Sequence, residues 1–184
     1  MFEPSIGLIE VRSIARGMRV VDALVKKAPV RIHVAHPISP GHFVIIFSGG
    51  VAEVEESLVE GVHEAGSFEI AHVFLPAVHQ SIPDALSGSF GAKPPHLDAL
   101  GIMETFTVAS TILAADAACK AAPLELVQMR LGQGLGGKAF FVMTGELHDV
   151  EAGIDAAKEK VGEDALMEVE LIARPHPDML TIYK

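Results

Sequence analysis

The chain contains the same sequence pattern twice. Residues 6–30 read IGLIEVRSIARGMRVVDALVKKAPV, and residues 100–124 read LGIMETFTVASTILAADAACKAAPL. Three pairs correspond at one spacing of 94 positions: Asp22 with Asp116, Lys26 with Lys120, and Pro29 with Pro123. The match resumes at residues 49–55 and 145–151. A tandem repeat predicts two like domains, and this constrains the fold more than any other feature.

The repeat divides the 184 residues into a first domain at 4–87, a linker at 88–98 and a second domain at 99–184. The linker reads GSFGAKPPHLD, which is rich in Gly and Pro. Domains of roughly 90 residues bury little surface on their own, so we expect them to share large interfaces.

Within each half, the apolar pattern predicts the order strand, helix, strand, strand, helix, strand. Ser13 and Thr107 stand where a helix N-cap is needed. A helical stripe follows the first cap: Ile14, Met18, Val21 and Val25. We therefore expect an α+β fold of the ferredoxin-like kind, in which each half forms an antiparallel four-stranded sheet with helices on one face.

Composition excludes several classes of function. The net charge of −10 argues against a nucleic-acid partner, which requires a basic surface. Hydrophobic residues make up 49% of the chain, yet we find no apolar run of the roughly 18 residues that a membrane span requires. We expect this apolar excess to be buried between subunits. One cysteine and a start without a signal-peptide pattern predict a cytoplasmic protein.

The glycine run GQGLGGK at 132–138 matches two phosphate-binding patterns. Both patterns require a helix directly after the glycines, so that its N-terminus meets the phosphate. The residues that follow, AFFVM, indicate a strand instead. We therefore interpret the run as a tight turn in which glycines allow close backbone approach.

No catalytic or metal-binding constellation is evident among the nine histidines. His33 and His36 stand three apart on a predicted strand, where their side chains point to opposite faces. His148 stands among acidic residues on a predicted helix, and no Cys/His cluster has zinc spacing. We expect no enzyme activity, no metal and no cofactor.

The repeated blocks resemble a bacterial microcompartment shell domain. In the first half the resemblance is carried by the run from Asp22 to Val30, by Pro-Ile-Ser-Pro-Gly at 37–41 and by Gly-Gly-Val-Ala-Glu-Val at 49–54. In the second half it is carried by 115–123, 134–138 and 144–147, and it ends with Ala-Arg-Pro-His at 173–176. Two fused domains resemble the trimeric branch of that family, whose chains form a pseudohexamer.

The resemblance implies a structural tile with a central pore for small metabolites, built with other shell proteins. It places the turn between the second and third strands at the pore, which maps to Ser39, Pro40, Gly41, His42, Leu135, Gly136 and Gly137. It places Lys26, Lys120 and Arg174 at the tile edge. The first half has no arginine at the position of Arg174.

Within the family, the chain most resembles the trimeric shell protein of propanediol-utilising compartments. In that relative, a pore cysteine from each of three chains holds an iron–sulfur cluster. The resemblance implies that Ser39 occupies the matching position in this chain. A hydroxyl is a poor substitute for the thiolate that such clusters require. Two alternatives stay open at this point: an iron–sulfur electron-transfer component of the shell, and a small-molecule sensor built on duplicated ferredoxin-like domains.

Overall fold

A computed structural model describes residues 5–90 and 98–181. Its contacts group into two compact units. The first contains the residues up to Val78 together with Gly132–Gly137, and the second contains His79–Leu131 together with the residues from Lys138 onward. The predicted domain bounds describe the duplicated sequence and stay a prediction. Most of the predicted linker, 91–97, lies outside the described residues.

The first unit follows the predicted order of elements. It consists of β1 (Ser5–Val11), α1 (Ile14–Lys27), β2 (Arg31–Ile38), β3 (His42–Gly49), α2 (Val51–Ala65), a 3-10 turn (Gly66–Phe68) and β4 (Glu69–Leu75). Ser13 caps α1 by accepting a hydrogen bond from the Arg16 N–H at 3.3 Å. Gly66 ends α2 with a φ of 55°, a conformation that glycine adopts readily.

The second unit repeats this order after one additional short helix. It consists of α3 (Ser81–Leu86), β5 (Ala99–Thr105), α4 (Val108–Ala121), β6 (Glu125–Leu131), β7 (Ala139–Gly145), α5 (Leu147–Val161), a 3-10 turn (Glu163–Ala165), β8 (Leu166–Ala173) and a second 3-10 turn (Pro177–Thr181). Thr107 caps α4 as Ser13 caps α1, accepting from the Ser110 N–H at 3.0 Å. No helix in the described ranges is long and apolar enough to cross a membrane.

The two sheets have the same topology. Their strand orders are β2-β3-β1-β4 and β6-β7-β5-β8, with antiparallel pairing throughout. Even the irregularities repeat, because the register shifts between Ile32 and Val34 and again between Leu126 and Gln128. The prediction of an α+β fold with two tandem four-stranded units is thus confirmed.

The core of the first unit lies between its sheet and its two long helices. Phe43, Ile45 and Phe47 of β3 contribute to this cluster together with Val20 and Leu24 of α1. The approach of α1 is close, since a Cβ added at Gly17 would lie 2.5 Å from the Phe43 ring. A side chain at position 17 would therefore separate the helix from the sheet.

Of the apolar stripe predicted on α1, Val21 packs against this core with partial burial, but the other three residues are exposed. Gly17, Val20 and Leu24 are the buried residues of the helix, whereas Met18 and Val25 are 60% and 46% exposed. The helix is therefore apolar on two sides. Periodicity alone could not tell which side faces the sheet, because both sides satisfy the same helical spacing.

Candidate functional site

The turn between β2 and β3 is a tight hairpin with restricted backbone geometry. The Ser39–Pro40 peptide bond is cis, and Gly41 has a φ of 114°, which side-chain-bearing residues rarely adopt. The Gly41 N–H donates to the Ile38 carbonyl at 3.0 Å and closes the turn. The shape of the hairpin is thus defined by contacts within a few residues.

The glycine loop Gly132–Gly137 packs against this hairpin within the first unit. The Ser39 N–H donates to the Gly132 carbonyl at 3.2 Å, and the Gly134 N–H donates to Ser39 Oγ at 3.2 Å. Gln133 Nε2 lies 3.3 Å from His36 Nε2. The two predicted pore segments are therefore brought together, with the Ser39 side chain serving as an acceptor between them.

Close approach explains the glycine run better than phosphate binding does. A Cβ on Gly132 would lie 2.7 Å from Ile38 Cδ1, and one on Gly137 would lie 3.3 Å from the Ser39 carbonyl oxygen. Both glycines also have positive φ, at 75° and 92°. The strand β7 follows directly, as predicted, so no helix N-terminus is presented to a phosphate at this loop.

Each hairpin is flanked by a carboxylate of the first strand paired with a basic side chain. In the first unit, His42 Nδ1 lies 3.4 Å from the Glu10 carboxylate, which is 1% exposed. In the second unit, Lys138 Nζ lies 3.4 Å from the Glu104 carboxylate. The two pairs occupy equivalent places, with an imidazole in the first unit and an ammonium group in the second.

The hairpin and the glycine loop together line an open depression of about 400 Å³. Its lining is uncharged: Pro37, Ile38, Ser39, Pro40, Gly41, Gln133 and Gly134. Leu135, Gly136 and Gly137 continue the same loop. The predicted pore residues are therefore neighbours in the fold, although their position relative to any pore stays a prediction.

The two candidate edge lysines make the same local contact in different surroundings. Lys26 Nζ lies 2.6 Å from Asp22 Oδ2, and Lys120 Nζ lies 2.6 Å from Asp116 Oδ2. The Asp22 side chain is 60% exposed, whereas that of Asp116 is 5% exposed. Asp116 Oδ1 also accepts from the His79 N–H at 2.7 Å. The i,i+4 spacing of Asp and Lys explains both ion pairs, whereas the additional donor comes from outside the helix.

Arg174, the third candidate edge residue, follows β8 in an uncommon conformation. Its φ is 51°, the one positive value at a non-glycine residue in the described ranges. Its N–H donates to the Asp98 carbonyl at 2.7 Å, which ties the end of β8 to the start of β5. The backbone is thereby held while the residue stays exposed.

Two titratable groups have pKa values that burial displaces. Desolvation raises the pKa of the Cys119 thiol to about 12, with the nearby Asp116 charge adding to the effect. Desolvation also lowers the pKa of His33, whose Nε2 lies 2.7 Å from Ser48 Oγ. Both groups belong to packed regions. A free, buried cysteine of this kind behaves as a small hydrophobic residue.

One exposed cluster has the residue types of a metal site. Glu146, His148 and Asp149, at the start of α5, place one ligand atom each within 4.8 Å of one another. Glu146 and His148 are about three-quarters exposed, at 75% and 73%. Exposed acidic clusters of this kind are common without an ion, so the expectation of no metal stays our prediction.

Equivalent surfaces of the two units differ in burial. On α1, Met18 is 60% exposed, whereas its counterpart on α4, Ile112, is fully buried. Likewise Ile14 is 37% and Val25 46% exposed, while their counterparts Val108 and Cys119 are 0% and 5% exposed.

The sheet faces turned away from the core show the reverse. Leu8 and Val44 are fully buried, whereas Ile102 and Phe140 are partly exposed. Of each pair of equivalent surfaces, one is therefore exposed in one unit and its counterpart is buried in the other unit.

Comparisons with known proteins agree with this architecture. The BMC domain matches residues 5–78 and 99–175. The chain is 37% identical over 176 residues to the bacterial microcompartment shell protein PduT of Citrobacter freundii, covering 95% of each chain. It is 27% identical to the carboxysome assembly protein CcmO of Synechococcus elongatus, covering 96% of this chain and 67% of that protein.

The fold has also been seen in a crystal structure. A microcompartment protein from Desulfitobacterium hafniense DCB superposes with a TM-score of 0.86 at 38% identity, covering 97% of this chain and 98% of that chain. The similarity therefore extends over both units and is not confined to one repeat.

Proposed function

Because the chain belongs to the family of bacterial microcompartment shell proteins, with a BMC domain in each half, we propose that three copies close into a six-lobed tile of the shell. The resemblance inferred from the sequence is thereby confirmed, and with it the role as a shell protein. The trimer, its pore and its edge contacts are the proposal.

The observation that carries this proposal is that each unit exposes an apolar face whose counterpart in the other unit is buried. The outer face of α1, around Met18, is apolar and exposed, and so in part is the sheet face around Ile102 and Phe140. Exposed apolar patches of this kind mark association sites. We propose that the α1 face of one copy packs on the Ile102 face of the next.

Such a contact joins two different surfaces, so it is heterologous. Heterologous contacts close into rings when the rotation between copies permits it and otherwise give open filaments. Three chains supply six similar lobes, which is the arrangement that the family resemblance implies. A ring also covers both apolar faces, in agreement with the high hydrophobic content.

We place the pore at the joined hairpins, around Ser39, Pro40, Gly41, His42, Leu135, Gly136 and Gly137. The uncharged depression between the hairpin and the glycine loop supports the passage of small metabolites. If His42 faces the pore, three imidazoles line it, each beside a Glu10 carboxylate. His42→Ala should then change the permeability of assembled shells to small charged solutes. Equal permeability of both proteins would contradict this role.

We place Lys26, Lys120 and Arg174 at the tile edge, where they contact neighbouring tiles and other shell proteins. The tile is a structural component of a cytoplasmic microcompartment and not an enzyme. We expect no iron–sulfur cluster, because the Ser39 hydroxyl is a poor cluster ligand and already accepts from Gly134. Stoichiometric iron and sulfide in anaerobically purified protein would contradict this expectation.

Two measurements test the tile. Native mass spectrometry should give the mass of three chains, and electron microscopy of concentrated protein should show sheets or tubes. Arg174→Ala should keep the trimer and lose the sheets, because this exposed side chain lies at the proposed edge. A chain that stays monomeric at high concentration would overturn the proposal.

A further inference from the structure

The segments that follow the last strand of each unit occupy equivalent places in the duplicated sequence. Strand pairing sets Leu75 opposite Ile6 and Ile172 opposite Leu100. Ile6 and Leu100 are counterparts in the repeat. Leu75 and Ile172 are therefore counterparts too, and in both halves a histidine stands four residues further on.

These two histidines, His79 and His176, begin the same local turn. His79 Nδ1 accepts from the N–H two residues further on at 3.3 Å, and its carbonyl accepts from the N–H three residues further on at 3.0 Å. The corresponding distances at His176 are 3.3 Å and 2.9 Å. Each segment therefore holds its histidine backbone in the same hydrogen-bonded frame.

The first of these segments is hydrogen-bonded to α4, the helix that carries Lys120, and we call this contact the clamp. The His79 N–H donates to Asp116 Oδ1 at 2.7 Å, and the other carboxylate oxygen accepts from Lys120 at 2.6 Å. The Asp116 side chain is 5% exposed. A buried carboxylate is tolerated because both of its oxygens are occupied by donors.

Asp22, the counterpart of Asp116, has only half of this arrangement. Its Oδ2 accepts from Lys26 at 2.6 Å, and its side chain is 60% exposed. Across residues 5–90 and 98–181, no backbone N–H donates to its carboxylate. The first helix of the second repeat is thus clamped by the segment that ends the preceding repeat, whereas no such segment donates to Asp22 of α1 among the described residues.

We infer that the missing donor is the backbone N–H of His176 from a second copy of the chain. This inference rests on the proposed ring, in which the second repeat of one chain precedes the first repeat of the next. The turn at His176 already has the same two hydrogen bonds as the turn at His79. When the ring closes, Asp22 is buried, and a buried carboxylate requires a second donor. The clamp is therefore built three times within chains and three times between them.

The first test compares the dissociation constant of the ring among four proteins. Asp22→Ala should weaken association roughly tenfold to a hundredfold per interface, the range expected for a hydrogen bond to a charged group. Asp22→Asn keeps an acceptor oxygen for the His176 N–H and removes the charge, so it should weaken association less than Asp22→Ala does. Asp116→Ala removes the same chemistry within one chain, so it should destabilise the second unit and leave association close to wild type.

The second test measures hydrogen exchange at His176 itself. Pro175 and Pro177 carry no N–H, so this amide is isolated within its peptide. It should be protected in the ring, exposed in separated chains, and exposed again in rings of Asp22→Ala formed at high concentration. The Asp22→Asn ring should retain the protection, because its side chain still offers an acceptor oxygen.

The outcomes separate this inference from the proposed function. A wild-type ring in which the His176 amide exchanges as fast as in separated chains would overturn the clamp and leave the tile intact. The clamp is equally overturned if Asp22→Ala associates as tightly as wild type. A wild-type chain that never forms a ring would overturn both.

Discussion

The exchange of exposed surfaces between the units predicts that truncation to alanine has different effects at equivalent positions. Truncating a fully buried Ile or Met to Ala costs about 2–5 kcal/mol of unfolding free energy. Ile112 is 0% exposed, so Ile112→Ala should cost about 3 kcal/mol in separated chains. Met18 is 60% exposed, so less than half of that side chain contributes, and Met18→Ala should cost about 1 kcal/mol there.

The two substitutions should have the opposite order of effect on association between chains. The exposed part of Met18 is buried when the ring closes, so Met18→Ala should weaken each interface by about 1–2 kcal/mol, or roughly tenfold. Ile112→Ala should leave the interface affinity close to wild type. Urea unfolding at concentrations below ring formation, combined with native mass spectrometry across a dilution series, measures both quantities.

Two results would refute this reasoning. If Met18→Ala and Ile112→Ala cost the same in separated chains, the difference in burial does not exist in solution. If the Met18→Ala ring dissociates like wild type, the α1 face is not an interface. The first result tests the burial of the two side chains and the second tests the proposed contact, so each can fail without the other.

Three further predictions concern single sites. Gly17→Ala should destabilise the first unit by about 1–3 kcal/mol in urea unfolding, because the added Cβ would lie 2.5 Å from Phe43. This loss should outweigh the better helix propensity of alanine. A stabilised variant would contradict the packing. The Cys119 thiol, with a pKa raised to about 12, should react with a disulfide reagent at pH 8 only after unfolding, and stability should fall as the pH rises above the unfolded thiol's value of roughly 8.5. Fast labelling of native protein would disprove this. The pKa of His33 is lowered in the folded state, so the unfolded chain binds the proton first and the free energy of unfolding decreases as the pH falls below about 6.5. His33→Val, which introduces the residue found at the counterpart Val127, should reduce this decrease in unfolding measured against pH. An unchanged dependence of the unfolding free energy on pH would contradict the prediction.

Local residue chemistry predicted the elements well. Ser13 and Thr107 each cap a helix, and Gly66 ends one, because these outcomes depend on hydrogen bonds and φ angles within a few residues. The interpretation of the glycine run as a turn was correct for the same reason. The role of its glycines was not predictable, since Gly132 and Gly137 admit a hairpin that lies about 95 residues earlier in the chain.

The sequence by itself determined the duplication, the order of elements, the family and the pairs of equivalent residues. These follow from patterns that repeat along the chain and from contacts between near neighbours. The tertiary structure alone decided which of the equivalent residues are buried. Asp22 and Asp116 stand in the same pattern, and so do Met18 and Ile112, yet each pair divides into one exposed and one buried member. Burial depends on what packs against a surface from far along the chain, and no local pattern carries that information.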